Sequence, residues 1–444
     1  MERKRLFGSF VSMLIAMLIL AGCSGGGSDE ASGNSAEGNG NGDFTYWYPW
    51  GGDSEKWDKS RIAEYEESTG ANIEAIYAPP SGGIDNGKLL SAISGGNPPD
   101  LVVTDGDGYN LAYGLAAQGA LEPIDEYLEE AGFEEDSVLD GFRDLMKQPD
   151  GKTYLLPQDS NVNMLYYNVE MFEAAGLDPD NPPTTIEELD AAAEALTEVE
   201  NGKIETLGFI PWLDAGDEPF LWGWVFGANF FDPENKEVTI NEQPLVDAYN
   251  WMDSYAQKYD PEKIKSFTSG FGGSFSPDHP FMTGKVGMTI TGNWFANALK
   301  IYSPDTEYRV APIPSPPEGR EKATVFGTNV YMVPKGAKNP QAAINFALYG
   351  NTDEVLADNI NTWRSISIWK EKSDAIEWEN DQVYDTVLEV AASPDSGHPA
   401  LTSIAGEMSD ELTSLRDSVI YNDNDPAKLL EELEKKLQKE VDDK

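Results

Sequence analysis

The sequence predicts an α/β fold, built as two domains or one large two-lobed body. Three observations lead there. From Phe44 onward short β-like runs alternate with helix-like runs, the pattern of a sheet whose strands are joined through helices. The chain has 444 residues, more than one core usually serves. An apolar fraction of 40% with 11% aromatics supplies enough material to bury.

Phe44–Tyr48 reads as a strand and residues 54–68 as a helix, with Asp53 or Ser54 as N-cap and Gly70 just past its end. Residues 72–77 form a strand, 86–94 a helix and 101–104 a short buried strand. The alternation implies a parallel sheet, whose strand ends make a ligand-facing rim. The turn Trp50-Gly51-Gly52-Asp53 follows the first strand and Asp105 follows the third, so both fall on that rim. A second α/β series begins after Gly151-Lys-Thr-Tyr-Leu-Leu-Pro157, with a strand over 163–167 and a helix over 169–175. Thr185-Ile-Glu-Glu188 is a capping box opening a helix to about Val199. Residues 207–211 are strand-like and end at Trp212, residues 286–291 end at Gly292-Asn293-Trp294, and residues 324–333 contain Gly327-Thr328-Asn329. Beyond Asn339 the pattern is mainly helical, closing over 426–441 with Asp425 as cap and Pro426 in the first position.

Composition narrows the function. A formal charge of −47 repels nucleic acid and anionic lipid, and reads as a solubility property of salty or alkaline surroundings. One cysteine permits no disulfide within the chain. Two histidines, His279 and His398, form no metal-binding spacing and read as surface or hydrogen-bonding groups, so no metal or cofactor is expected. The lone cysteine has another reading. Met1-Glu-Arg-Lys-Arg5 is a basic start, residues 6–20 are mostly apolar, and Leu20-Ala21-Gly22-Cys23 looks like a bacterial lipobox with Cys23 as the acylated residue. Residues 1–22 are then a signal peptide and 23–43 a Gly/Ser/Asn tether, spanning on the order of 25 Å as a random coil. Cleavage would leave 28 basic against 77 acidic residues, a charge of −49. The expected location is the outer face of the cell membrane, held by lipid alone.

Three blocks in series carry a resemblance, the first made of four short segments. Gly151–Pro157 is followed by Leu165-Tyr-Tyr-Asn168, Phe172-Glu-Ala-Ala-Gly176 and Pro182-Pro-Thr-Thr-Ile-Glu-Glu-Leu189. Phe281-Met-Thr-Gly284-Lys-Val-Gly-Met288 with Gly292-Asn-Trp294 comes next, then Val333-Pro-Lys-Gly336-Ala-Lys-Asn-Pro340. Together they resemble the carbohydrate-binding extracellular solute receptors of ABC importers, the group that includes maltose-binding protein. The resemblance implies a periplasmic-binding-protein-like fold, with two α/β lobes joined by a hinge and closing on a solute. It also implies delivery to a membrane permease, no catalysis, and a monomer. It divides the chain into an N-lobe of residues 44–157 plus 312–363 and a C-lobe of 158–311 plus 364–444. Crossings are expected near Pro157-Gln158, around 312–322 and near Trp363-Arg364.

A saccharide offers hydroxyls at its edges and C–H groups on its faces, so its site needs flat aromatics beside short carboxylates and amides. The rim positions supply both. Trp50, Asp53 and Asp105 come from the first series, and Gln158, Asp159 and Asn161 from the hinge. Trp212, Asp214, Trp222, Trp224 and Asn229 follow the strand-like run at 207–211, with one of Trp222 and Trp224 expected in the site and the other in its wall. Asn293, Trp294, Thr328, Asn329, Trp363 and Arg364 complete the set, the arginine suiting a sugar that bears a carboxylate. Trp47 is assigned to the core, and Trp57, Trp251, Trp369 and Trp378 to helical packing or surface. Two other readings stand beside this one. A receptor for a polyamine or peptide would use the same rim, and a secreted glycoside hydrolase would need two carboxylates about 5–10 Å apart.

Overall fold

The first strand, β1 (Phe44–Tyr48), shows how the sequence builds the body. Its alternate residues Phe44, Tyr46 and Tyr48 enter one core cluster while Trp47 enters another on the opposite face, the period-two rule in its simplest form. In the computed structural model, which describes residues 42–79, 87–214, 218–370, 381–399 and 401–443, this strand sits inside a five-stranded sheet. The lipobox with Cys23, and Trp378, lie outside the described residues.

β1 leads through the helix Gly52–Thr69 to β2 (Ile73–Tyr77), and both β2 and β3 (Leu101–Val103) pair parallel with it. β4 (Leu155–Asn161) and β5 (Asn163–Asn168) are separated only by Val162, yet they belong to different sheets. β6 (Glu198–Glu200) pairs with β7 (Lys203–Thr206), and β8 (Phe231–Asp232) with β9 (Glu237–Val238). β10 (Met288–Gly292) and β11 (Tyr308–Ala311) flank β5, and β12 (Gly327–Met332) returns to lie between β3 and β4. The sheet orders are β2-β1-β3-β12-β4 and β10-β5-β11. The fold is thus α/β with two lobes, each carrying one of these sheets.

Neither sheet is purely parallel. β12 runs antiparallel to both neighbours, and β5 is antiparallel to β10 and β11. A parallel partner needs a crossover that brings the chain back to the same end of the sheet. β12 instead arrives directly from the other lobe, so it enters from the opposite end. The change of sheet falls at Val162, past the expected crossing at Pro157-Gln158, which leaves Gln158, Asp159 and Asn161 on the five-stranded sheet.

Local starts and stops follow from capping. The first helix begins at Gly52 with Gly51 in the N-cap position, earlier than the Asp53 or Ser54 cap expected, and ends at the left-handed Gly70. The Thr185–Glu188 capping box is present, but that helix stops at Ala195 because Glu198 pairs into a hairpin. Leu207 makes a single bridge to Val286 in place of the strand expected there. One large core packs Phe209, Trp222, Trp251 and Tyr255 beside the three-stranded sheet. A second runs from Tyr46, Tyr331 and Phe346 to Tyr166 and Phe295, so apolar packing is continuous between the lobes. No described helix is long and apolar enough to cross a membrane.

Candidate ligand-binding cleft

A cleft of about 300 Å³ lies where the two sheets meet, near the lower end of the range for small-molecule sites. Its floor comes from β4 and β12. Gln158, Asp159 and Asn161 project from β4, and Gly327 and Asn329 from the paired strand. Gly106, just after β3 and Asp105, presses on Gly327: a Cβ on Gly106 would stand 3.2 Å from the Gly327 Cα. Asp105 lines the floor beside this contact, and any side chain at Gly106 would push the two segments apart by a few tenths of an ångström.

The floor is tightly hydrogen-bonded below and open above. Asp159 is 2% exposed and accepts from the Asn329 Nδ2 at 2.6 Å, and the Asn359 and Ser365 side chains also favour its charged form. Burial raises its pKa, and these side chains pull it back only in part. The Asn161 Oδ1 accepts from Asn293 Nδ2 at 3.0 Å. In contrast, the Gln158 Oε1 and Asn359 Oδ1 have no partner although both residues are 4% exposed.

Aromatic rings form the walls. Trp50 follows β1, and Ser54 and Trp57 lie on the first turns of the next helix. The Trp57 indole donates to the Asp358 carboxylate at 2.6 Å. Opposite them, Trp294 stacks on Phe275 at 5.3 Å between centroids and 24° between planes, and Trp363 meets Phe275 edge-on at 6.2 Å. Trp363 ends the helix Asp353–Trp363 because Arg364 takes a left-handed conformation at φ 57° and closes the last turn onto Ile360. No lysine, arginine or histidine lines the cleft among the described residues.

The structure therefore brings Trp50, Asp105, Gln158, Asp159, Asn161, Trp294, Asn329 and Trp363 together. The remaining positions lie elsewhere. Asp53 opens the first helix, and its side chain lies outside what is described. Thr328 is on the reverse face of β12, as strand alternation requires, and meets His398 Nε2 at 2.9 Å. Asn293 is fully buried behind the floor and staples Asn161, the Val162 N–H and the Trp363 carbonyl together. Arg364 turns away to pair with Asp381 at 3.1 Å, so it offers no charge to a carboxylated ligand. Trp222 is fully buried, stacked edge-on against Trp251, with its indole donating to the Pro211 carbonyl. Its partner in the expectation, Trp224, is not in the cleft either: Arg320 lies 3.8 Å over its ring and also bonds Asn229. Trp212 packs between two core clusters, and Asp214 pairs with the buried His279. That histidine accepts from the Phe281 N–H through Nδ1, so its Nε2 carries the proton toward Asp214.

Ser54, Trp57, Asn163, Phe275, Asn359 and Ser365 also line the cleft, and the sequence reading left them out. Trp57, assigned to helical packing or surface, is a wall residue, because the start of its helix points at the site. A spacing signal existed for Asn359, which is four residues before Trp363 and so shares its helix face. Phe275 lies in a glycine-rich loop without periodicity, and nothing in the pattern marks it.

The family model described as bacterial extracellular solute-binding protein matches residues 38–356. The chain belongs to this family. The solved structure of CpMnBP1 with mannotriose bound is similar at 33% identity and a TM-score of 0.81, covering 90% of this chain and 99% of that one. The maltooligosaccharide ABC transporter solute-binding lipoprotein of Streptococcus pneumoniae (strain ATCC BAA-255 / R6) is 26% identical over 347 residues, 74% of each chain. A binding protein of Brucella abortus (strain 2308) is 26% identical over 260 residues, and the match spans 58% of this chain and 59% of that protein.

Proposed function

We propose that the chain is the extracellular substrate-binding subunit of an ABC importer and takes an uncharged oligosaccharide into the cleft, with no bond broken. The observation that carries this reading is the composition of the cleft: indole and phenyl walls, a floor of amides and carboxylates, and no cationic side chain. Sugar faces suit the rings and hydroxyls suit the floor. A phosphorylated or carboxylated solute would meet Asp105 and Asp159 with nothing to neutralise it. The relatives that bind mannotriose and maltooligosaccharides support the same class of ligand. Lipid anchoring through Cys23, residence on the outer face of the membrane, a monomeric state and hand-over to permease subunits belong to the proposal as well. So does the assignment of Gln158 to Asn161 to the N-lobe, with the lobe boundary at Val162.

Calorimetric titration of the purified protein with mannotriose, maltotriose and their uronate counterparts tests it. The expected result is saturable binding of at least one neutral sugar and much weaker binding of its uronate. Tighter binding of the charged form, or release of shorter sugars during incubation, would overturn the reading.

A further inference from the structure

We propose that Asp214 and His279 are positioning residues for Phe275, so that a buried hydrogen-bonded pair behind the cleft holds the wall on which a sugar stacks. This rests on the proposed function. Phe275 is 41% exposed and enters none of the described core clusters. Its ring meets Trp294 at 5.3 Å and Trp363 at 6.2 Å, and it sits on a loop with three glycines, Gly270, Gly272 and Gly273. A phenyl carried this way is only as fixed as the loop beneath it. On the N-terminal side, Phe271 packs against the cluster of Ile204, Ile264 and Val286. On the other side the chain closes on itself. The Gly272 N–H donates to the Asp278 carbonyl at 3.1 Å, the His279 N–H to the Ser276 carbonyl at 3.1 Å, and the Asp278 N–H to the Ser276 hydroxyl at 3.2 Å. Those bonds hand the position of Phe275 to His279, four residues on.

His279 is fully buried, with its ring 4.8 Å from that of Phe295, the residue after Trp294. The loop therefore leaves from behind the same wall whose front Phe275 covers. A buried imidazole needs a partner for each nitrogen. Nδ1 accepts from the Phe281 N–H at 3.3 Å, and the Nε2–H donates to the Asp214 carboxylate. Asp214 comes from a segment 65 residues earlier, so this bond ties two distant stretches together. The backbone of Asp214 takes φ 61°, a left-handed conformation that aspartate and asparagine accept more readily than most residues. Without the carboxylate, the Nε2–H is buried with no acceptor, which is costly. The ring regains water only by moving outward, and it carries the loop and Phe275 off Trp294.

The test acts on Asp214, since glycine accepts the backbone angle there and removes only the carboxylate. Wild type, Asp214→Gly, Asp214→Asn, Phe275→Ala and the double variant D214G/F275A are titrated with mannotriose and maltotriose. Hydrogen exchange over residues 269–279 is followed in each without sugar. D214G should exchange there at least about tenfold faster and lose about tenfold in affinity. D214N keeps an accepting oxygen and tolerates the backbone, so it should stay within about threefold of wild type on both counts. F275A should lose about tenfold by itself, and adding D214G to it should cost no more than about twofold further. If D214G does not fold, D214N carries the test: its uncharged bond should speed exchange about twofold to threefold and weaken binding only where Phe275 is present. Equal losses with and without Phe275 would mark a general structural role and overturn this inference alone, as would wild-type affinity in folded D214G. A wild type without affinity for any saccharide overturns the proposed function, and this inference with it.

Discussion

Replacing Gly292 by alanine should damage the cleft through a single atom. Gly292 ends β10, where it pairs with Asn163 and its carbonyl accepts from the Tyr166 hydroxyl at 3.2 Å, so the backbone has little freedom to yield. A Cβ there would stand 2.1 Å from the Trp294 Nε1 and 2.7 Å from Cδ1 and Cε2. Ordinary contacts begin near 3.5 Å, so the indole must retreat by roughly 1.4 Å or rotate out. Overpacking of this kind costs about 1–3 kcal/mol. The stack of Trp294 on Phe275 would go with it, a further loss of about 1 kcal/mol. The backbone term has the opposite sign. Gly292 does not have a positive φ, and alanine in an extended strand is favoured over glycine by about 0.5–1 kcal/mol. Contact and backbone therefore compete, and the contact wins only while the indole is there. Thermal melts and mannotriose titrations of G292A, W294A and the double variant separate the two. G292A alone should melt lower and bind about tenfold to a hundredfold more weakly. Added to W294A, the same substitution should stabilise, with a coupling of at least about 2 kcal/mol. Wild-type melting and affinity in G292A, or additive effects in the cycle, would refute the reasoning.

Three further outcomes follow from the same structure. Trp50→Ala removes a wall ring that also packs on the edge of a core cluster, and should cost about 2 kcal/mol of sugar affinity, roughly thirtyfold, with a smaller loss of stability of about 1 kcal/mol; calorimetry and urea unfolding read both. Arg364→Ala leaves Asp381 without its cation, though still capping its helix, and a non-glycine left-handed residue without its tether, so stability should fall by about 1–3 kcal/mol in urea unfolding while preference among neutral sugars stays as in the wild type. His398 is boxed in by Tyr109, Phe142 and Phe326, and burial lowers its pKa from 6.5 to about 4. The unfolded chain takes up that proton first, so this contribution is complete above about pH 6.5 and is lost as pH falls toward 4. Allowing for residual solvent contact it amounts to about 2 kcal/mol, and urea unfolding of His398→Gln across that range should lack the corresponding slope.

How far the sequence exposes this site depends on what fixes each residue. Trp50 and Asp105 could be placed because strand ends set the rim, and strand ends are marked by alternation and glycine. The same rule misplaces Thr328, because two neighbours on a strand face opposite sides and the local pattern does not say which is inward. Trp222 could not be assigned from its helix, since Glu218–Phe226 is apolar on every side and offers no face to orient it. Arg364 seemed a ligand because it stands beside a tryptophan at an expected lobe crossing and suits a sugar that bears a carboxylate; its partner Asp381, a helix N-cap, is a tertiary fact. The mixed direction of the larger sheet was hidden for a similar reason. It depends on β12 arriving from the other lobe, and local propensity carries no record of that path.

The two sides of the cleft differ in a way that bears on how it would take a ligand. The hydrogen-bonding floor stands on paired strands of one sheet, and its amides are held from below by Asp159 and Asn293. The facing wall of Phe275 and Trp294 comes from a loop and a helix start on the other side, and Phe275 remains 41% exposed. Directional bonds lose most from small errors in position, whereas a stacked ring tolerates some sliding. The geometry thus puts the demanding interactions on the stiffer support and the forgiving ones on the more exposed. A sugar seated on the floor first would lose little freedom still needed for stacking, while one held first by the rings could still slide relative to the floor. Substitutions in the floor should therefore change which sugar is chosen, and substitutions in the wall should change how long any sugar stays.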